Sequence, residues 1–247
     1  MNVARSVASA APGLGDVRAL AFDIFGTVVD WRSSIIEAGQ ALGERAGTSI
    51  DWPAFAEDWR AGYQPAMAQV CARTLPWTNI DGLHRRILDE LLAARGLDWP
   101  EPQRADFNRV WHRLQPWADS VAGHARLKTR FTLATLSNGN LSLLVAMAKH
   151  AGLPWDCVLS AELFHHYKPD PQVYLGAARL LGLEPAQVMM VAAHPSDLRA
   201  ASACGLRTAY IPRPLEHGPG GLMEPSTPGE FDFTAADLEQ LAVQLSC

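Results

Sequence analysis

The chain has 247 residues, 48% of them hydrophobic, with 21 basic against 26 acidic residues and a formal net charge of −5. That length and apolar share support one large domain, or a core domain carrying an insert, and exclude global disorder. The negative balance argues against a nucleic acid or an anionic membrane surface as partner, and no uncharged apolar run of about 18 residues is present to cross a bilayer.

Residues 1–15, MNVARSVASAAPGLG, read as a loose tail. Their A-S-A step resembles a cleavage site, but the compact apolar stretch of a signal peptide is missing. The first strand is expected at Ala19–Ile24 and runs into Asp23-Ile24-Phe25-Gly26-Thr27. From 33 to 118 no convincing strand occurs. Helical patches at Ser33–Ala46, Pro53–Ala72 and Leu83–Arg95 predict a helical insert after the first strand, placed as a cap over the sheet's C-terminal edge. Trp52, Trp59, Trp77, Trp99, Trp111 and Trp117 lie in or beside it, mostly as core.

Four further apolar segments follow, Phe131–Leu136, Val158–Ala161, Val188–Ala192 and Thr208–Ile211. None alternates strictly, as expected of strands buried on both faces of a parallel sheet. Helices at Asn140–Ala151, Pro171–Leu181 and Ser196–Cys204 separate them, each stopped by a glycine (Gly152, Gly182, Gly205). Strand alternating with helix predicts a doubly wound, Rossmann-like α/β core over 16–32 and 119–247. A Gly/Pro-rich loop, His217–Glu230, precedes a last helix at Thr234–Leu245. The scattered Cys71, Cys157, Cys204 and Cys247 read as free thiols of a reducing, cytoplasmic compartment rather than zinc ligands or disulfides.

Ligands of such sheets bind where the strands end. Asp23 falls there, with Gly26 allowing a sharp turn and Thr27 offering a hydroxyl to orient a carboxylate. The second core strand stops at Ser137-Asn138-Gly139, before a helix whose N–H groups suit an anion. Lys168 lies in Tyr167-Lys168-Pro169-Asp170-Pro171, and Asp197 closes Ala192-Ala193-His194-Pro195-Ser196-Asp197. Taken singly, Asp23, Ser137, Asn138 and Asp197 are also ordinary helix caps, and Lys168 an ordinary solvated lysine. Four polar groups at successive strand ends converge, and that conjunction points to a site.

D-x-F-G-T, then S-N, then K-P-D-P, then a terminal Asp, in this order and spacing, resembles the haloacid dehalogenase superfamily, and within it the L-2-haloacid dehalogenases. The resemblance runs from about Asp16 to Pro214 and includes Asp58-Trp59-Arg60. It implies a hydrolase of short (S)-2-haloalkanoic acids such as haloacetates and 2-halopropionates. Asp23 attacks C2 and expels halide; water then cleaves the aspartyl ester. By the same resemblance Lys168 keeps Asp23 ionised, while Ser137 and the Ile24 N–H hold the substrate carboxylate. Arg60 and Asn138, helped by Phe25, receive the halide, and Tyr174 supports the site. Arg32 competes with Arg60 as the cap arginine, and Tyr174 reads equally as a core aromatic. A homodimer is expected by analogy only. His165 and His166 read as surface or packing residues.

Two departures matter. Phosphatases of the superfamily carry D-x-D and a further acid pair for Mg²⁺. Here Phe25 replaces the second Asp and Ala193 stands near the first acid of that pair, so no metal or other cofactor is expected. A magnesium-dependent phosphatase is the alternative, and a non-catalytic small-anion-binding protein a third reading. Second, His194 stands where relatives place a water-positioning Asn. Together with Asp197 it is expected to orient or deprotonate the hydrolytic water, the alternative being a loop-capping histidine.

Overall fold

The computed structural model describes residues 15–247; the expected N-terminal tail, Gly15 apart, lies outside the described residues. Strand β1 (Ala19–Phe22) is followed by β2 (Val29–Asp30) and a run of helices, α1 (Trp31–Ala46), α2 (Trp52–Ala61), α3 (Tyr63–Cys71), α4 (Ile80–Ala94) and α5 (Glu101–Asn108). The chain returns through β3 (Gln115–Pro116) and α6 (Ser120–Leu127) to β4 (Thr132–Ser137) and α7 (Leu141–Ala151). It continues as β5 (Cys157–Ser160), α8 (Pro171–Leu180), β6 (Val188–Ala192), α9 (Pro195–Ala203), β7 (Arg207–Tyr210), β8 (Phe233–Thr234) and α10 (Leu238–Gln244).

Six strands form one parallel sheet in the order β5-β4-β1-β6-β7-β8. This is the doubly wound sheet that the alternating segments predict. Every residue of β1 is buried, which explains the unbroken apolar run. From β1 the chain winds outward on one side through β4 and β5, then crosses to the other through β6 and β7. β1 is therefore the switch point, and its C-terminal end opens into the crevice where such sheets bind ligands. Phe22 pairs with Thr135 on one neighbour and Val191 on the other, so Asp23, Ser137 and the 192–194 segment emerge at the same edge.

The helices between β2 and β3 form a separate layer, entered and left through a two-residue antiparallel ladder of Val29–Asp30 with Gln115–Pro116. Its interior is aromatic: Trp52, Phe55, Trp59, Phe107 and Trp111 are all buried, with Phe107 stacked on Trp59 at 5.5 Å between ring centres. The expected single helix 53–72 is two, broken at Gly62. A Cβ there would fall 2.5 Å from the Ile87 side chain, so the glycine lets this corner pack directly onto α4. The last helix also starts later than expected, at Leu238, because Phe233–Thr234 first pairs with β7; Asp237 then caps it by accepting from the Gln240 amide at 2.7 Å. The short helices α5 and α6 were not anticipated.

Arg213, just after β7, clamps these parts together. Its guanidinium grips Asp119 through two bonds of 2.7 and 2.9 Å and donates to the Thr27 carbonyl at 2.9 Å. Asp119 in turn accepts from the Leu238 amide at 2.8 Å. All four cysteines are free, and among the described residues no helix is long and apolar enough to cross a membrane.

Candidate active site

Asp23 follows β1 and is only 7% exposed. Thr27 donates to its Oδ2 at 2.7 Å and is itself fixed by the Ala193 amide at 2.9 Å. Lys168 Nζ donates to Asp23 Oδ1 at 2.9 Å and to Asp197 Oδ2 at 2.5 Å. Tyr174, on α8, donates to Asp197 Oδ1 at 2.6 Å and lines the same cavity, while its ring is fully buried in the core. Asn138 accepts from the Lys168 amide at 2.7 Å, tying the end of β4 to the lysine's own backbone.

The charges follow from this packing. Burial alone would raise the Asp23 carboxyl, but the Lys168 ammonium and His194 outweigh it and hold it far below the ordinary carboxylate range. Burial would neutralise Lys168, yet Asp197 and Asp23 keep it charged and above the ordinary lysine range. Asp197 moves the other way. Its burial and the adjacent Asp23 charge push it up against the pull of Lys168, making it the better proton acceptor of the two.

These groups line a cavity of about 260 Å³ together with Phe25, Arg60, Tyr63, Ser137, Asn138 and His194. Arg60 lies over the Tyr63 ring at 4.5 Å and near the Trp31 and Phe25 rings at 5.5 and 5.9 Å. Its Nη1 is buried without a partner among the described residues. Arg32 is outside this cavity, bonded to Glu57 at 2.7 Å, so Arg60 is the arginine facing the site. Phe25 has its ring edge-on to Trp111 at 5.6 Å. The Ser137 hydroxyl accepts from the Gly139 amide at 3.1 Å. The Ile24 side chain is buried in the core, so only its backbone is available to the site. His165 stacks on Trp77 and His166 pairs with Asp170, both away from the cavity.

His194 differs from the sequence reading in its partners and in its fitness as a base, not in its place beside the nucleophile. It makes no pair with Asp197. Its Nδ1 lies 3.1 Å from Asp23 Oδ2, and its Nε2 lies 3.1 Å from both oxygens of Glu216. Burial would lower its pKa, but the bonds to Asp23 and Glu216 prevail and push it up to about 10. A ring with both nitrogens donating to carboxylates is an imidazolium near neutral pH, and it has no lone pair with which to deprotonate water.

Glu216 is the residue that strand-end reasoning missed. It comes from the segment after β7, Ile211-Pro212-Arg213-Pro214-Leu215-Glu216, which closes the fifth core strand as the other segments close theirs. Tyr63 was missed too, because it sits on a helix of the insert with no strand end to mark it.

A family model described as haloacid dehalogenase-like hydrolase matches residues 17–205. The chain is similar to the crystal structure of the L-2-haloacid dehalogenase PA0810, at 50% identity and TM-score 0.91 over 93% of this chain and 99% of that one. It is also similar to the defluorinating L-2-haloacid dehalogenase Rha0230, at 45% identity and TM-score 0.90 over 94% and 96%. Among sequences, (S)-2-haloacid dehalogenase 1 of Pseudomonas sp. (strain CBS-3) is 31% identical, over 80% of this chain and 85% of that protein.

Proposed function

The chain belongs to the haloacid dehalogenase-like hydrolases, and from that premise we infer that it hydrolyses the carbon–halogen bond of 2-haloacids, releasing 2-hydroxy acids. One observation carries the mechanism: an ionised Asp23 shares a cavity with Arg60, whose buried Nη1 has no partner among the described residues. Displacement of halide needs a nucleophile and a receiver for the departing anion, but no acid. Phe25 supplies an apolar wall where a proton donor would be superfluous.

In the first step an Asp23 oxygen attacks C2 of a short (S)-2-haloalkanoate from the face opposite the halogen. The new C–O bond forms as the C–X bond breaks, and the bonding pair leaves with the halide toward Arg60 and Asn138. Ser137 and the Ile24 amide hold the substrate carboxylate. Water then attacks the Asp23 carbonyl carbon and yields a proton to Asp197. The ester C–O bond breaks, and the 2-hydroxy acid leaves with an oxygen from Asp23 and the proton from Asp197. The second water proton is lost as Asp23 ionises again. Lys168 stays charged throughout and lowers the repulsion between the two carboxylates.

Phosphoryl transfer is a poorer fit to the donor set. A hard cation needs open oxygen ligands, whereas Lys168 fills the space between Asp23 and Asp197, and Ala193 offers no carboxylate. The test is one turnover with enzyme in excess in ¹⁸O-water containing EDTA, using chloroacetate, 2-chloropropionate and fluoroacetate. The expected product carries unlabelled oxygen at C2, with stoichiometric halide. Labelled product means direct attack by water and overturns the ester route. Phosphate-ester hydrolysis with Mg²⁺ and no halide release would replace the reading by a phosphatase.

A further inference from the structure

Glu216, which is buried, and His194, which is half-buried, form a couple to which neither step above assigns a role. The Glu216 side chain is 8% exposed and accepts from both His194 Nε2 and Trp31 Nε1, each at 3.1 Å. It also presses on the nucleophile's own turn. Gly26 has φ +82°, and a Cβ there would fall 2.1 Å from Glu216 Oε1. The carboxylate is thus bonded to Trp31 and packed on Gly26, and the imidazole it also bonds touches Asp23 with its other nitrogen.

From this chain of contacts we propose that Glu216 is a positioning residue that fixes His194 as a doubly donating imidazolium, and that His194, with Thr27, forms the oxyanion site for hydrolysis of the Asp23 ester. The proposal rests on the reading of Asp23 as nucleophile. The two Asp23 oxygens are differently supported. Oδ2 takes Thr27 at 2.7 Å and His194 at 3.1 Å, while Oδ1 takes Lys168 alone among the described residues. The ester bond to C2 forms at Oδ1, leaving Oδ2 as the carbonyl oxygen. When water adds to Cγ, the π electrons move onto Oδ2, where two donors already point. As the tetrahedral centre collapses they return, breaking the Cγ–Oδ1 bond. His194 gives up no proton; it needs only to keep both.

Charge balance supports the same role. Glu216 lies below the ordinary carboxylate range, because its bonds to His194 outweigh its burial. Three carboxylates (Asp23, Asp197, Glu216) then face Lys168, Arg60 and His194 as three cations. Esterification removes the charge of Asp23 and leaves one surplus positive charge to match the substrate carboxylate. A neutral His194 would remove that surplus. The other ionisable groups near the ring are Glu224, which lines the cavity but is paired with Arg199 at 3.1 Å, and Arg213 and His217, which line a second cavity of about 220 Å³ and are paired with Asp119 and Glu57.

The test combines ¹⁵N-histidine NMR with single-turnover quench of the wild type, Glu216→Gln and Glu216→Asp. His194→Asn assigns the resonance. In the wild type both ring nitrogens are expected protonated at pH 8. In Glu216→Gln the ring is expected to titrate toward the ordinary histidine value of ~6.5. Ester formation, read as the halide burst, is expected within about threefold of wild type, while ester hydrolysis at pH 8 slows on the order of tenfold or more. That hydrolysis recovers as pH falls toward 6, because acid restores the imidazolium, and Glu216→Asp restores part of it at pH 8. A neutral wild-type ring at pH 8 overturns the proposal without any variant needing to fold. So does Glu216→Gln hydrolysing its ester at the wild-type rate, or slowing equally at every pH. If the wild type forms no ester, the nucleophile reading fails instead, and the NMR still decides whether Glu216 holds the ring charged.

Discussion

Lys168 Nζ donates to Asp23 Oδ1 at 2.9 Å across 145 positions of sequence, with 7% of the lysine side chain and 10% of the carboxylate's exposed. A pair this dry cannot lose one member cheaply. Lys168→Met leaves Asp23 and Asp197 facing each other without the ammonium between them, so the Asp23 carboxyl rises against the remaining pull of His194 and the nucleophile is protonated over more of the pH range. Halide release is expected to fall about a hundredfold to a thousandfold at pH 7 and to climb with pH, whereas the wild type shows no such acid limb. A variant with wild-type turnover and a flat profile contradicts the assignment of Lys168.

His194 gives stability its own pH signature. Its folded pKa of about 10 lies above the ordinary histidine value. The stabilisation is therefore fully present below the unfolded value of ~6.5 and is lost as pH rises through 10. Asp23, held low, acts on the opposite side and loses its contribution only in acid. Urea unfolding of the wild type is expected to weaken by a few kcal/mol between pH 6.5 and 10. In His194→Gln that slope should shrink; equal slopes in both proteins would refute the charged-ring assignment.

Much of this arrangement was legible because strand ends are fixed by short-range signals. The apolar run before Asp23, the Ser137-Asn138-Gly139 stop and the Pro-started helices after Lys168 and His194 each mark where a side chain leaves the sheet. Parallel register then brings those ends together. The state of His194 was not legible, since it depends on Glu216, carried by an irregular segment and fixed by tertiary contacts with Trp31 and Gly26. The break at Gly62 was hidden for a similar reason: its cause is Ile87 on another helix.

The two candidate arginines differ in their surroundings, and their variants are expected to differ accordingly. Arg60→Ala removes a guanidinium with a buried unpaired nitrogen facing the cavity. Its halide burst is expected to slow about a hundredfold or more, with hydrolysis of a preformed ester far less affected. Arg32→Ala loses a partly exposed pair with Glu57, worth about 0–1 kcal/mol, and is expected to keep the burst within about threefold of wild type. Stopped-flow halide detection reads both. Equal slowing of the two steps in Arg60→Ala would count against a halide role.

Arg213→Ala tests whether the scaffold holds the nucleophile's turn. The arginine is 8% exposed at its side chain, paired twice to Asp119 and bonded to the Thr27 carbonyl. Removing it strands a half-buried carboxylate whose pKa, despite burial, is now held low by Arg213 and the Leu238 amide. The expected cost is about 3–5 kcal/mol in urea unfolding, the range for breaking a buried pair from one side. Asp119→Asn with Arg213 retained should cost less, because the Leu238 amide can still find an oxygen and Arg213 keeps the Thr27 carbonyl. Since Thr27 orients Asp23, the ester-forming step should slow in Arg213→Ala even where the protein is fully folded. A folded Arg213→Ala protein with an unchanged burst would show that the turn at Gly26 holds Thr27 in place without this clamp.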